Sequence, residues 1–303
     1  MNIRSLTTAA SMPRDPTARD QLVRLLGGFA EAGRASLEAA GLTVQTTRLS
    51  TQPLEQWLEP NSEAPAAVRA LAEECARSGI GFFSLGTIQA VTGAGNATVA
   101  ALQEILPGLL MADDNVFASV QVGSHADSGY VVDLDAVRAS ARIIRTLADE
   151  TVAGFGNLRF AAASNCPPHV PFFPASYYAE DDRNGGGPEF GLALEAADLA
   201  IKAFQNAHSL EEARENLLAM LIDEGGRAAE VCVSIASEHG YTFTGLDISM
   251  APHPGAERSI GRALEMLSGA PLGSPGTFAA AAFFTSVLKE AGTQLPTVGY
   301  SGL

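Results

Sequence analysis

The sequence predicts an α/β fold in which parallel strands, alternating with helices, surround one interior lined with polar side chains. Three observations point there. Helix-like and strand-like segments alternate along the chain, the order produced by parallel strands joined through right-handed crossovers. The strand-like runs also divide their faces in the same way. In Val116–Ser124, residues Ser119, Gln121 and Gly123 oppose Ala118, Val120 and Val122; in Glu189–Glu195, residues Glu189, Gly191, Ala193 and Glu195 oppose Phe190, Leu192 and Leu194. Tyr241–Met250 sets Gly245, Asp247 and Ser249 against Leu246, Ile248 and Met250, while Gly81–Gly86 and Leu158–Asn165 carry Ser84 and Asn165. Strands of an ordinary parallel sheet are apolar on both faces, so a repeated polar stripe predicts a shared interior built for binding. Finally, 303 residues that are 47% apolar and 17% charged, with no linker rich in Pro, Gly or Ser, predict a single domain over 1–303.

The elements follow in order. A strand near Ile3–Thr8 leads to a helix over Arg19–Ala40, punctuated by Gly41. Helix Ala64–Arg77 precedes strand Gly81–Gly86, and helix Ala97–Leu106 precedes strand Val116–Ser124. Asp133 or Asp135 caps the next helix, which runs to about Asp149, because a carboxylate accepts a free backbone N–H of the first turn. Strand Leu158–Asn165 follows. The long connection Cys166–Gly187, with Pro167, Pro168, Pro171, Pro174 and the run Gly185–Gly187, has the composition of a functional loop with a mobile hinge. After strand Glu189–Glu195, Ser209 and Glu212 form a capping box that starts a helix to about Glu238, interrupted at Gly225 and Gly226. Strand Tyr241–Met250, helices Arg258–Leu267 and Thr277–Ala291, and an extended piece Thr297–Leu303 complete the chain.

Composition excludes some partners. Thirty-four acidic against 19 basic residues leave a net charge of -15, which repels a nucleic-acid backbone or an anionic membrane. No apolar run is long enough to span a bilayer and the N-terminus has no apolar signal region, so a cytoplasmic protein is expected. Cys75, Cys166 and Cys232 cannot all pair within one chain and lack C-x-x-C spacing. Cys75 and Cys232, in Ala-rich helical surroundings, read as buried thiols.

Strand parity selects the candidate site residues. Asp247 and Ser249 share the polar face of their strand, His253 lies just past its end, and Glu195 ends a strand of the same kind. A buried carboxylate is costly unless it meets a cation, a proton donor or a ligand. Asp247 therefore either serves a site or has a structural role, capping a loop or pairing with Arg4. Ser124, Gln121 and Asn165 supply polar groups on their strands. Cys166 and His169 are a thiol and an imidazole close in sequence, separated by prolines that can point them apart. The loop after Ser124, containing His125, could offer backbone N–H groups to an anion. Gly81-x-x-x-x-Gly86 and Gly93-x-Gly95 lack the Lys-Ser/Thr of a phosphate loop. Phe172, Phe173, Tyr177 and Tyr178 form either an aromatic lid or the packing of the long loop.

The segments Asn2-Ile-Arg-Ser-Leu-Thr-Thr, Ser119-Val-Gln-Val-Gly-Ser124, Phe172-Phe-Pro-Ala-Ser-Tyr-Tyr178, Leu246-Asp-Ile-Ser-Met-Ala-Pro-His-Pro254 and Val298-Gly-Tyr-Ser-Gly302 together resemble the family of domain of unknown function 711, in order and spacing over nearly the whole chain. The resemblance implies a large parallel-type α/β barrel similar to the ten-stranded barrel of pyruvate formate-lyase and other glycyl radical enzymes, and a homodimer. It implies no reaction. Members of that family commonly continue beyond the motif matched by Val298–Gly302, so any site residue from such a part is expected to be absent here or supplied otherwise. They also often carry His where this chain has Tyr178. Thr297-Val-Gly-Tyr300 is similar to the glycyl radical signature Arg-Val-x-Gly-Tyr but lacks its Arg and is one residue short. No radical cofactor is expected, and Gly299 and Gly302 read as glycines that permit close backbone approach.

The functional expectation is an enzyme acting on a small polar metabolite by acid–base or metal-assisted, non-radical chemistry at the C-terminal ends of the strands. Asp247 would be the base or a metal ligand, Glu195 the second carboxylate, and His253 or His169 the acid or a further ligand. Ser124, Gln121, Asn165, Ser249 and Arg4 would bind and orient substrate. A divalent metal, where the chemistry uses one, would fall to Asp247, Glu195 and His253. The alternative is a non-catalytic metabolite-binding or regulatory protein with the same polar interior.

Overall fold

The computed structural model describes residues 1–91, 97–126, 129–205, 207–250, 253 and 255–302. In chain order its elements are β1 (Asn2–Ala10), α1 (Pro16–Ala39), β2 (Val44–Thr51), α2 (Ala64–Arg77), β3 (Phe82–Gln89), α3 (Ala97–Leu110), β4 (Val116–Ala126), β5 (Gly129–Val132), α4 (Leu134–Glu150), β6 (Phe160–Ser164), β7 (Glu189–Glu195), α5 (Ala197–Gln205), α6 (Leu210–His239), β8 (Thr242–Asp247), α7 (Ile260–Ser268) and α8 (Pro275–Ala291). Short 3-10 segments cover Leu54–Gln56, Val152–Arg159 and Ala256–Arg258.

The expected large parallel barrel, with the ten-stranded form of the glycyl radical enzymes, is not what forms. The fold is mostly helical, 51% helix against 20% strand. Its sheet has the order β5-β4-β3-β2-β1-β7-β8, with β6 pairing β4, and the end strands β5 and β8 do not pair with each other. The sheet is also mixed: β2, β3, β4 and β6 run parallel, but β5 returns antiparallel on β4, with His125 opposite Tyr130 and Ala126 opposite Gly129. Strand and helix alternation prescribes local crossovers. Closure depends on two distant edge strands meeting, and no local pattern encodes that.

The chain divides into two compact units. The first comprises Met1–Leu6, Gly33–Gln45 and Phe190–Leu303, and the second Thr7–Ala32 and Thr46–Glu189. In the first, α5 packs on α6 and α7, and α6 on α8 and β8, around Leu192, Leu194, Leu217, Leu221, Leu246 and Phe284. In the second, α3 and α4 pack together, and the buried side chains include Phe83, Ile88, Leu106, Val120 and Ile143.

Local chemistry settles several boundaries. Asp133, not Asp135, caps α4, its Oδ1 accepting the N–H groups of Asp135 and Ala136 at 2.9 Å each. Ser209 caps α6 through the Glu212 N–H at 3.1 Å, but the Glu212 carboxylate returns to the N–H of His208, one residue earlier than a capping box requires. The expected interruption at Gly225 and Gly226 does not occur, since α6 is continuous over 30 residues. Gly225 has a packing reason instead: a Cβ there would sit 2.8 Å from Leu295 Cδ1. β2 carries too few apolar residues, Val-Gln-Thr-Thr-Arg-Leu-Ser-Thr, to announce a strand by alternation.

Candidate functional site

In the first unit the strand ends carry two buried carboxylates in different environments. Asp247, the last residue of β8, is 1% exposed. Its Oδ1 accepts from the Ser249 N–H at 3.0 Å, the Ser301 N–H at 3.1 Å and the Ser249 hydroxyl. Its Oδ2 is buried and has no hydrogen-bond partner among the described residues. The closing segment completes the arrangement. Leu246 accepts the Val298 N–H and pairs in parallel with Thr297, and the Gly302 N–H reaches Ser249 Oγ at 3.3 Å. Gly245 makes this approach possible: at φ 133° a Cβ would lie 2.5 Å from the Pro296 carbonyl oxygen. Gly245→Ala is expected to destabilise the protein by about 1–3 kcal/mol, measured as a lower urea midpoint with an unchanged slope.

Glu195, the last residue of β7, is also 1% exposed but fully engaged. Its Oε1 meets Arg258 Nη1 at 2.7 Å, and its Oε2 meets Gln45 Nε2 at 3.1 Å and Arg4 Nη1 at 3.6 Å. Of the two structural roles open to Asp247, the structure shows the capping of the following segment, through the Ser249 N–H, and the ion pair of Arg4 among the described residues is with Glu195. Past β8, His253 Nδ1 accepts the Gly255 N–H at 2.9 Å, which puts the ring proton of a neutral imidazole on Nε2. Among the described residues no group of three or more His, Cys, Asp and Glu side chains is arranged to hold a metal ion.

In the second unit, much of the polar stripe of β3 and β4 serves the chain itself. Ser84 donates to the Ser176 carbonyl at 3.0 Å, and Thr87, 2.7 Å from the Ser119 hydroxyl, donates to the Ala175 carbonyl at 3.1 Å. Gln121 clamps the Cys166 backbone, its Oε1 accepting the Cys166 N–H at 2.8 Å and its Nε2 donating to the Cys166 carbonyl at 3.2 Å. Tyr177 donates to the same carbonyl at 3.2 Å. The long loop thus lies on the stripe and satisfies it, which buried polar groups require. Ser124 is partly exposed in the β4–β5 ladder, and Asp127 and Ser128, which follow β4, lie outside the described residues. Asn165 is exposed, with φ 52° and its N–H on the Gly123 carbonyl at 2.8 Å. Gly93-x-Gly95 lies outside the described residues.

His169, 5% exposed, is held between two carboxylates. Its Nδ1 lies 2.8 and 2.9 Å from the two oxygens of Glu189, and its Nε2 lies 3.0 Å from Asp181 Oδ2. Asn184 Nδ2 donates to Glu189 at 2.8 Å, and Arg183 supports Asp181 at 2.9 Å. Ionised carboxylates only accept, so with Glu189 and Asp181 both ionised the two ring nitrogens donate and the ring is an imidazolium. Burial opposes that charge and Arg183 repels it, but the Glu189 hydrogen bond and the charges of Glu189 and Asp181 outweigh them and raise the pKa of His169. Burial likewise works against ionised Asp181, and Arg183 and His169 overcome it, holding this carboxyl at about 2. Both ring nitrogens of His169 are thus engaged by carboxylates, and the thiol of Cys166 is pushed up by burial.

A pH dependence follows. The raised value at His169 contributes stability that is complete below the unfolded value of about 6.5 and is lost as pH rises through the folded value. The lowered value at Asp181 contributes stability present above the ordinary carboxyl range and lost as pH falls toward about 2. Unfolding temperature against pH should therefore decline on both sides of a mildly acidic maximum. The alkaline decline should weaken in His169→Asn; an unaltered alkaline limb would contradict the assignment.

Sequence reasoning singled out His169 but not Asp181 or Asn184, and Glu195 but not Arg258 or Gln45. The available signal was charge balance: a buried carboxylate demands a cation.

The family model described as "Uncharacterised ACR (DUF711)" matches residues 1–303. A UPF0210 protein of Pyrobaculum arsenaticum is 28% identical over 98% of this chain and 66% of its own length. A second, from Pyrobaculum islandicum, is 31% identical over 86% of this chain and 57% of its own length, and one from Desulfovibrio desulfuricans is 27% identical over 83% and 56%. This chain thus spans less than two thirds of the length of these relatives.

Proposed function

Taking as premise that the chain belongs to the DUF711 family, we propose that the protein is an enzyme acting on a small polar metabolite by acid–base, non-radical chemistry, with Asp247 as the proton acceptor. One observation carries the reading: a carboxylate 1% exposed, anchored by Oδ1 and with no partner for Oδ2 among the described residues. A general base needs a fixed position and an uncommitted lone pair in a water-poor setting. Asp247 has all three. Glu55 and Asp198 also leave one buried oxygen without a partner among the described residues, but they lie in helical segments, whereas Asp247 stands at a strand end.

The other residues take roles around it. Glu195, committed on both oxygens to N–H donors, is unsuited as base or metal ligand, and instead orients Arg4 and Arg258. Those guanidiniums, 29% and 31% exposed, would attract an anionic group of the substrate. Ser249 keeps Asp247 in place, and His253 Nε2 is the nitrogen that would return a proton. The same reading takes the protein to be a cytoplasmic homodimer. Its support is the family resemblance, and three unpaired cysteines suit a reducing compartment. Among the described residues no helix is long and apolar enough to cross a membrane.

The test is mass-spectrometric analysis of a defined mixture of small polar metabolites incubated with the protein and with Asp247→Asn. The reading expects one compound to be consumed and its product to form with the native chain only. A compound retained by the protein but unchanged would instead establish a binding protein.

A further inference from the structure

Arg19, in α1, is a buried cation without an anion among the described residues. It is 7% exposed, and none of the ion pairs among the described residues includes it. Its Nε donates to the Pro13 carbonyl at 3.3 Å and its Nη2 to the Arg14 carbonyl at 2.9 Å. Those bonds occupy the side edge of the guanidinium. The end edge, Nη1 with the second N–H of Nη2, has no protein acceptor among the described residues. Below the planar group lies the Trp57 ring, its centroid 5.2 Å from Cζ.

Burying a charge without a counter-ion is among the more costly things a fold can do. Here burial lowers the Arg19 pKa, and the charges of Asp20 and Asp15 oppose that change without pairing with it. Asp15 is turned to another task, its Oδ1 accepting the Ala18 N–H at 2.8 Å. Arg19 also lines a cavity of about 210 Å³ together with Arg14, Trp57, Glu59, Asn61 and Glu63. Arg14 is neutralised by Glu59, with its Nε on the Gln56 carbonyl at 3.2 Å. Asn61 spends its oxygen on the Glu63 N–H at 2.9 Å. The cavity therefore presents an uncompensated guanidinium inside and carboxylates around it.

We propose that this cavity binds a small carboxylate monoanion, held end-on by the Arg19 guanidinium beside the Trp57 indole. The two parallel N–H donors of the end edge match the two oxygens of a carboxylate, and a bond of this kind is charge-assisted. Glu59 is spent on Arg14, so the paired donors of Arg19, not a net positive charge, would hold the carboxylate, and Glu63 would repel a polyanion. The cavity volume admits a few heavy atoms. The site is built wholly from residues of the second unit and takes none of the groups assigned to proton transfer.

Trp57 is the single tryptophan of the chain, so its fluorescence reports on this cavity. The experiment titrates the full protein with sodium acetate at constant ionic strength, with sodium chloride as the control salt, and follows tryptophan emission and acetate methyl saturation transfer by NMR. A saturable emission change with acetate, absent with chloride, is expected. Arg19→Met should abolish both signals, and Arg19→Lys, which keeps the charge but loses the paired donors, should weaken binding about tenfold. Circular dichroism establishes that each variant is folded; if Arg19→Met is not, Arg19→Lys decides alone. A linear response, an equal response to chloride, or unchanged affinity in the variants would overturn the proposal.

Discussion

Asp247→Asn is expected to lower turnover about 10²- to 10⁴-fold, the range for removal of a general acid or base, while the protein stays folded. The substitution keeps an oxygen able to accept from Ser249 and Ser301, so the local turn survives. It replaces Oδ2, the atom without a partner among the described residues, by an amide nitrogen that cannot take a proton. Loss of rate with an unchanged unfolding midpoint is the signature of a chemical role. Loss of rate only in step with unfolding would assign Asp247 to structure. Glu195→Gln separates the two carboxylates. It removes the charge that holds Arg4 and Arg258, so the effect should fall on KM more than on kcat. An equal fall of kcat in both variants would mean that Glu195 takes part in the proton transfer.

His169→Ala is expected to have the largest effect on stability, about 3–5 kcal/mol, the penalty for leaving one partner of a buried ion pair unpaired. Glu189, 1% exposed, would retain only the Asn184 amide. The imidazolium is also the link between Glu189 and Asp181, and therefore between the start of β7 and the loop before it. Urea unfolding of His169→Leu, Glu189→Leu and the double variant provides the check. The double variant should be less destabilised than the sum of the two single variants, because it leaves no orphaned charge. Strict additivity would show that the two residues do not act as a pair.

How much of this was legible beforehand varies with the range of the interaction. The caps at Asp133 and Ser209 involve groups within four residues, and local sequence identifies them. The strands carrying Asp247 and Glu195 were recognisable because side chains alternate with a period of two, and both residues are buried carboxylates at strand ends. The partners were not recognisable. Arg258 reaches Glu195 across 63 residues and Ser301 reaches Asp247 across 54, and no periodicity links such pairs.

The polar stripe itself shows the difference. Alternation correctly marked Ser84, Ser119 and Gln121 as lying on buried polar faces, 0%, 0% and 4% exposed. It could not tell a ligand from the protein's own backbone, since a carbonyl of Ala175 or Cys166 satisfies a hydroxyl or amide as well as a substrate oxygen does. The family was likewise present in the ordered motifs, and the chain matches it from residue 1 to residue 303.

By itself, then, the sequence determined the family, the amphipathic segments, the helix caps and the presence of acidic groups on buried strand faces, because these depend on neighbours along the chain. Tertiary structure decided that the sheet stays open and mixed, that the loop after Cys166 covers part of its polar face, that Glu195 is tied to arginines, and that among the described residues Asp247 keeps one oxygen without a partner and Arg19 is buried without an anion. The physical reason is that burial and charge compensation belong to the folded arrangement: whether a polar atom finds a partner depends on groups tens of residues away, which meet only when the chain packs.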